Sequence, residues 1–126
     1  MKDSRVKRVA RRPFALMAAL CVLAALPLLS SARARSNSIN VVNSSTRQIV
    51  HVYLSPVDTD NWGGDQLNGT AIAPGQSFNV EDVTCSQAQV KVVAEDGDGC
   101  FLSAPVNCGG AATWTITNDT VADCGL

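Results

Sequence analysis

Beyond position 37 the apolar residues come in short runs of four to eight, broken by Gly, Pro, Asn and Asp, and none holds a long helical period. The runs predict strands near 38–42, 48–54, 70–73, 77–80, 88–95, 101–106 and 113–117. Breakers fall between them at 43–45, 56–64, 74–75, 96–99 and 109–110. That rhythm of short strands and turns is the pattern of a sandwich or barrel. The expected fold is all-β, a small antiparallel β-sandwich of about seven strands. Two runs carry more detail. In 48–54, Val50, Val52 and Leu54 alternate with Ile49, His51 and Tyr53; both sets are partly apolar, which predicts a central strand covered on both faces. In 88–95, Ala88, Val90, Val92 and Ala94 alternate with Gln89, Lys91, Val93 and Glu95, which predicts one buried and one wet face.

The first 34 residues follow different rules. A basic stretch from Lys2 to Arg12 precedes 16 apolar residues, 14–29, and a small-residue segment ending Ala32-Arg33-Ala34. As a helix the apolar part spans about 24 Å, short of the roughly 30 Å hydrocarbon core. The expectation is a signal peptide, residues 1–34, cleaved after Ala34 at the Ala32-x-Ala34 site, leaving one domain over 35–126. Arg11-Arg12-Pro13-Phe14 also resembles the centre of a twin-arginine export signal, and Arg33 suits that route. The leucine-rich apolar stretch suits the general route equally well. Either way the expected destination is the periplasm or the medium.

Charge sharpens this division. The chain's formal net charge of −1 averages a leader with seven bases and one acid and a domain with three bases and ten acids. The domain alone is therefore at −7, which argues against nucleic acid or an anionic membrane as its partner. Cleavage also removes Cys21, leaving Cys85, Cys100, Cys108 and Cys124. An even set of cysteines behind an export signal predicts disulfides, and no C-x-x-C spacing favours a metal. A hairpin turning at Gly97-Asp98 makes opposed positions sum to about 195 and sets Cys108 across from Gln87, two residues from Cys85. Cys100 and Cys108 lie about 26 Å apart along one strand. The expected pairs are Cys85–Cys108 and Cys100–Cys124.

The catalytic search is negative. There is no G-x-S-x-G, H-E-x-x-H or P-loop pattern, and the single histidine, His51, sits in an expected strand without a nucleophile turn nearby. Neither an enzyme activity nor a cofactor is expected. The most distinctive segment runs from Asp58 through Asp65. Asp58, Asp60 and Asp65 could offer oxygen ligands to Ca²⁺, but Trp62 and Gly69 stand where an EF-hand frame needs ligands, so the frame fails. Three N-x-S/T patterns, at Asn43, Asn68 and Asn118, coincide with turn residues, and no sugar is assigned to them.

Several of these elements recur together. An early Asn43-Ser44-Ser45 turn precedes Tyr53-Leu54-Ser55-Pro56, Trp62-Gly63-Gly64-Asp65-Gln66-Leu67, Pro74-Gly75-Gln76-Ser77, Cys85, Asp96-Gly97 and Cys108. In this order they resemble a group of small secreted bacterial proteins, often labelled only as twin-arginine-signal or hypothetical proteins. The resemblance covers about two-thirds of the domain, with Trp-Gly-x-Asp as its most specific part. The chain departs from the pattern in carrying Cys100 and Cys124. The resemblance implies a compact β-fold and export, and it supplies no active site. The expected function is a non-catalytic binding or structural module for a protein or small ligand, with the loop of Trp62, Gly63, Gly64 and Asp65 as the contact surface. A secreted enzyme inhibitor and a Ca²⁺-binding module are the alternatives.

Overall fold

The computed structural model describes residues 36–125; the expected leader, with Arg11, Arg12, Ala32 and Ala34, lies outside the described residues. Six strands form: β1 (Ser38–Ser44), β2 (Ile49–Pro56), β3 (Ser77–Val80), β4 (Gln89–Asp96), β5 (Phe101–Asn107) and β6 (Ala111–Thr117). They make two three-stranded sheets, ordered β3-β1-β6 and β2-β4-β5. Alternation gives each strand an apolar face, and the two sheets bury those faces against each other. Ile39, Val41, Val80, Trp114 and Ile116 meet Val52, Val90, Val92, Ala94, Leu102 and Val106 in one core. Burying each large aliphatic side chain there contributes about 1.5–3 kcal/mol. The fold is the expected all-β sandwich.

Four local expectations are corrected. The run at 70–73 is no strand; it contributes one bridge, in which Ile49 and Ile72 exchange backbone bonds of 3.0 and 2.8 Å. The count is therefore six, not seven. The sandwich is also not wholly antiparallel, because β6 returns beside β1 in the same direction, with Ser38 opposite Ala111. The whole of the β2-β4-β5 sheet lies within that crossover. Third, β2 is an edge strand and β4 the central one. A bulge between Ile49 and His51 explains the misleading pattern of β2. It rotates Ile49 into the core with Val52, so one apolar face is split between two sequence phases. Fourth, the outer face of β4 is not simply wet, since Val93 is 2% exposed.

The β4–β5 hairpin is centred on Asp98, so paired positions sum to 196 rather than about 195, as in Glu95 with Phe101. Gly99, at φ +80°, supplies the left-handed residue that this loop needs. Asp96 organises the turn from within. Its Oδ1 accepts the N–H groups of Asp98 (2.9 Å) and Cys100 (3.0 Å), and its Oδ2 receives the Arg47 guanidinium. Burial opposes its ionisation, but the Cys100 N–H, Arg47 and the Asp98 N–H outweigh it and hold the carboxyl below its ordinary range.

The disulfides are Cys85–Cys108 and Cys100–Cys124, the expected pairs. The first forms by a different route than register alone suggests. Cys108 donates its N–H to Ala88, not Gln87, and residues 86–88 bend to bring Cys85 within a Cα distance of 5.7 Å. Each bridge contributes about 2–4 kcal/mol, and both suit an oxidising, extracytoplasmic compartment.

Asn43 is the buried junction of the other sheet. At 0% exposure, its Nδ2 donates to the carbonyls of Arg47 (2.7 Å) and Ile72 (3.0 Å). Its Oδ1 accepts from the N–H (3.1 Å) and hydroxyl (2.6 Å) of Ser45. The first N-x-S/T pattern is thus a structural turn with no access for a sugar. Asn68, at φ +48°, and Gly69, at φ +85°, form the second as a tight turn closed by Thr70 N–H to Leu67 C=O, 2.9 Å. Asn43→Ala leaves the Arg47 carbonyl and the buried Ser45 N–H and hydroxyl without this partner, while Ile72 C=O keeps the Ile49 N–H; it is expected to lower the unfolding free energy by about 2–4 kcal/mol in urea titration. Asn118→Ala removes only two exposed bonds, from the N–H and hydroxyl of Thr46, and is expected to cost less than about 1 kcal/mol. Equal losses for the two would contradict this account.

Candidate functional site

The segment from Pro56 to Leu67 does not stand away from the domain. It folds back along the free edge of β2 and over the outer face of the β2-β4-β5 sheet. Three kinds of contact hold it. Gly63 donates to Leu54 C=O (3.2 Å) and Gln66 to Val52 C=O (2.7 Å), so the loop takes up backbone acceptors that the edge would otherwise leave open. Asp65 supplies the complementary acceptor: its Oδ1 receives the N–H groups of Val52 (3.1 Å) and Leu67 (3.0 Å). Leu67, 1% exposed, plugs the core. On the other side of the loop, the hydroxyl of Ser55 donates to Thr59 C=O (2.8 Å). Lys91 Nζ also donates to that carbonyl (2.7 Å) and to Asp60 Oδ1 (2.6 Å).

This clip fixes where Trp62 goes. On the outer face of β2-β4-β5, register places Tyr53 beside Val93 and Val93 beside Ser103, with His51, Glu95 and Phe101 in the next row. Trp62 lies stacked on Tyr53, at 5.4 Å between ring centroids and 23° between planes. It meets Phe101 at 5.0 Å and 58°, and the His51 ring lies 5.9 Å from that of Tyr53. Trp62 is 36% exposed and stands outside the core cluster. Val93 is the buried residue beneath this row, which accounts for its low exposure on the solvent side of the sheet. Beside Trp62 and Phe101 opens a cleft of about 260 Å³, with Val93 at its base and Asp60, Lys91, Ser103 and Asp123 around it. Two other clefts, one of about 120 Å³ by Pro56 and one of about 440 Å³ between β5 and β6, are lined by no ionisable side chain. The Trp62 cleft joins aromatic surface to charge, the combination that a selective contact needs.

Electrostatics tie the row to the clip. His51 Nδ1 and Asp65 Oδ2 are 2.9 Å apart. The hydrogen bond to Asp65 raises the His51 pKa above its ordinary 6.5; desolvation opposes the rise, and the Asp65 and Glu95 charges add to it. Burial opposes ionisation of Asp65, but His51 and the N–H groups of Leu67 and Val52 bring its pKa below 3.8. Asp60 is lowered by its hydrogen bond and charge pairing with Lys91. Tyr53 is raised by desolvation, then by the Glu95 and Asp65 charges.

Of the residues singled out in the sequence, Trp62 reaches an accessible surface, Gly63 and Gly64 are exposed, and Asp65 is a structural edge cap. The calcium candidates are not brought together. Both oxygens of Asp65 are engaged within the fold, Asp60 is turned to Lys91, and Asp58 is simply exposed. Among the described residues no group of three or more His, Cys, Asp or Glu side chains is placed to hold a metal ion. Sequence reasoning did not reach Tyr53, Phe101, Val93 and Lys91 as partners of Trp62. Their signal is cross-strand register, which becomes readable only once β2 is known to pair with β4.

No family model and no curated protein matches the chain. Among solved structures, its fold is similar to one described as the NMR structure of the protein from Eubacterium rectale. The identity is 12% and the TM-score 0.50, over 71% of this chain and 84% of that one. At that identity the likeness concerns the fold alone.

The pH dependence of the clip follows from the two shifts. The contribution of His51 is full below 6.5 and is lost as pH rises through its raised folded pKa. That of Asp65 is present above 3.8 and is lost as pH falls through its lowered folded pKa. The stability difference between the wild type and His51→Gln is therefore expected to be largest between these two values and to shrink toward pH 9. NMR titration of the His51 ring should show its pKa falling toward 6.5 in Asp65→Asn. An unmoved titration would remove Asp65 as the cause.

Proposed function

We propose that this protein is an exported, non-catalytic binding module whose contact surface is the Trp62 loop and the aromatic row beneath it. The observation that carries this reading is the position of Trp62. A large aromatic ring is held by a purpose-built clip on the outside of a sheet, one-third exposed, beside a cleft with charges of both signs. Aromatic side chains in such positions supply contact area at low entropic cost. The two disulfides and the basic leader support placement in the periplasm or the medium, as does the resemblance to small secreted bacterial proteins. The −7 domain charge favours a partner other than nucleic acid or anionic lipid.

A catalytic reading has less support. His51 is bonded to Asp65, and among the described residues no hydroxyl or thiol is hydrogen-bonded to its ring. An inhibitor would present a protruding, disulfide-braced loop. Here the loop lies flat against β2, and both disulfides join other segments.

The test compares the wild-type domain and Trp62→Ala as baits against the cell envelope of the source organism. Trp62→Ala is expected to lose a partner that the wild type retains, while unfolding free energy falls by only about 1–2 kcal/mol through lost ring contacts. Identical recoveries accompanied by a stability loss alone would return Trp62 to a purely structural role.

A further inference from the structure

Four strand edges bound the two sheets, and three of them are blocked. The edge of β2 is covered by the loop that carries Gly63 and Gln66 and by the bridge to Ile72. On β5, Pro105 offers no N–H, and Phe101 exchanges both backbone bonds with Asp123 of the C-terminal tail, at 2.7 and 2.8 Å. β3 is only four residues long. Short strands, prolines and covering segments are the usual means of preventing edge pairing.

β6 has none of these devices. It is seven residues, Ala-Ala-Thr-Trp-Thr-Ile-Thr, without charge or proline; among the described residues only β1 pairs with it, and β5 of the other sheet faces it across an open cleft. Its ladder can be phased from one bond, the 2.9 Å donation from Ser38 N–H to Gly110 C=O. With Ser38 opposite Ala111, the even positions of β6 turn their backbone groups to β1, and Ala111, Thr113 and Thr115 turn theirs outward. At Thr117 the edge closes again: Thr120 Oγ1 accepts its N–H (2.9 Å), and Thr120 N–H donates to its C=O (3.1 Å).

We propose that β6 is a self-association edge, on which two copies of this chain pair antiparallel about a two-fold axis at Thr113. The register follows from the outward groups. Thr113 faces Thr113 of the second copy, and Ala111 faces Thr115 in both directions, giving about six inter-chain backbone bonds. The two three-stranded sheets become one of six strands. Self-complementarity selects a second copy as occupant, because about a two-fold axis the outward N–H and C=O groups of Ala111, Thr113 and Thr115 meet their own counterparts, and charge does not forbid it. Each domain carries −7, so two copies repel over most approaches, yet nothing ionisable lies within 111–117 and the first acid beyond it, Asp119, falls outside the paired length. The exposed side chains on the paired row are Thr and Ala, which oppose themselves without clash or like charge. This inference does not depend on the Trp62 surface, which lies on the other sheet.

The test is sedimentation equilibrium on processed protein recovered from the extracytoplasmic fraction of cells expressing the full chain. A monomer–dimer equilibrium with a dissociation constant of roughly 10 µM to 1 mM is expected for so short an interface. Thr113→Lys sets like charges against each other on the two-fold axis, and Thr115→Pro deletes an outward N–H without touching the ladder to β1. Each should raise the dissociation constant on the order of tenfold or more, with circular dichroism and melting unchanged. Trp62→Ala should leave it as in the wild type. If Thr115→Pro misfolds, the wild type still decides: hydrogen exchange at the Thr113 and Thr115 amides should slow as concentration rises. A monomer up to about 1 mM, or a dimer indifferent to both substitutions and to these amides, overturns the proposal.

Discussion

Val52 donates its backbone N–H to a carboxylate rather than to another strand, and the outer half of the domain is arranged around that substitution. An edge strand has unpaired donors and acceptors that either water or another chain will take. Asp65 supplies an acceptor, Gln66 and Gly63 supply donors, and the segment between Pro56 and Leu67 is thereby laid flat along β2. The same ten-odd residues then serve three places at once. Leu67 enters the core, Asp65 lies at the edge, and Trp62 rests on the sheet face. The spacing of Trp62, Asp65 and Leu67 is the spacing that those three destinations require.

That explains which parts of the molecule were legible in advance. Strand existence, the acidic domain and the disulfide partners depend on local pattern and cysteine arithmetic, and both are present in the linear sequence. β2 reads as a central strand although it lies at the edge, because its sequence looks apolar on both faces. One bulge moves Ile49 across, and Tyr53 is aromatic because Trp62 of the covering loop stacks on it, not because a second sheet packs there. The hairpin register missed by one position for a comparable reason: whether Gly99 takes a left-handed conformation is decided by Asp96 reaching under the turn to Cys100. The site was half legible. Trp62 announced itself by composition, whereas its neighbours come from two other strands and are assembled only by pairing.

Buried polar groups, rather than additional apolar area, give this small sandwich its definite shape. Asn43 and Asp96 are both almost fully enclosed, and each accepts or donates at several backbone groups from separate segments. Enclosed amides and carboxylates tolerate few alternative arrangements, since any shift leaves partners unsatisfied. In a domain with one modest core, such residues discriminate among β-topologies that hydrophobic burial alone would stabilise about equally. No buried side-chain nitrogen or oxygen among the described residues lacks a partner.

The parallel pairing of β1 with β6 has a consequence in time. Ser38 finds its neighbour Ala111 only after 73 further positions of chain have been made and brought back. The first strand to leave the ribosome is thus among the last to be secured on both sides. Until then one flank of β1, the backbone groups of Ser38, Asn40 and Val42, has no partner, and nearly the whole loop-closure entropy of the domain stands against it. Sheet completion is a property of the finished chain, so a truncated product would carry an open, apolar first strand instead of a smaller version of the fold.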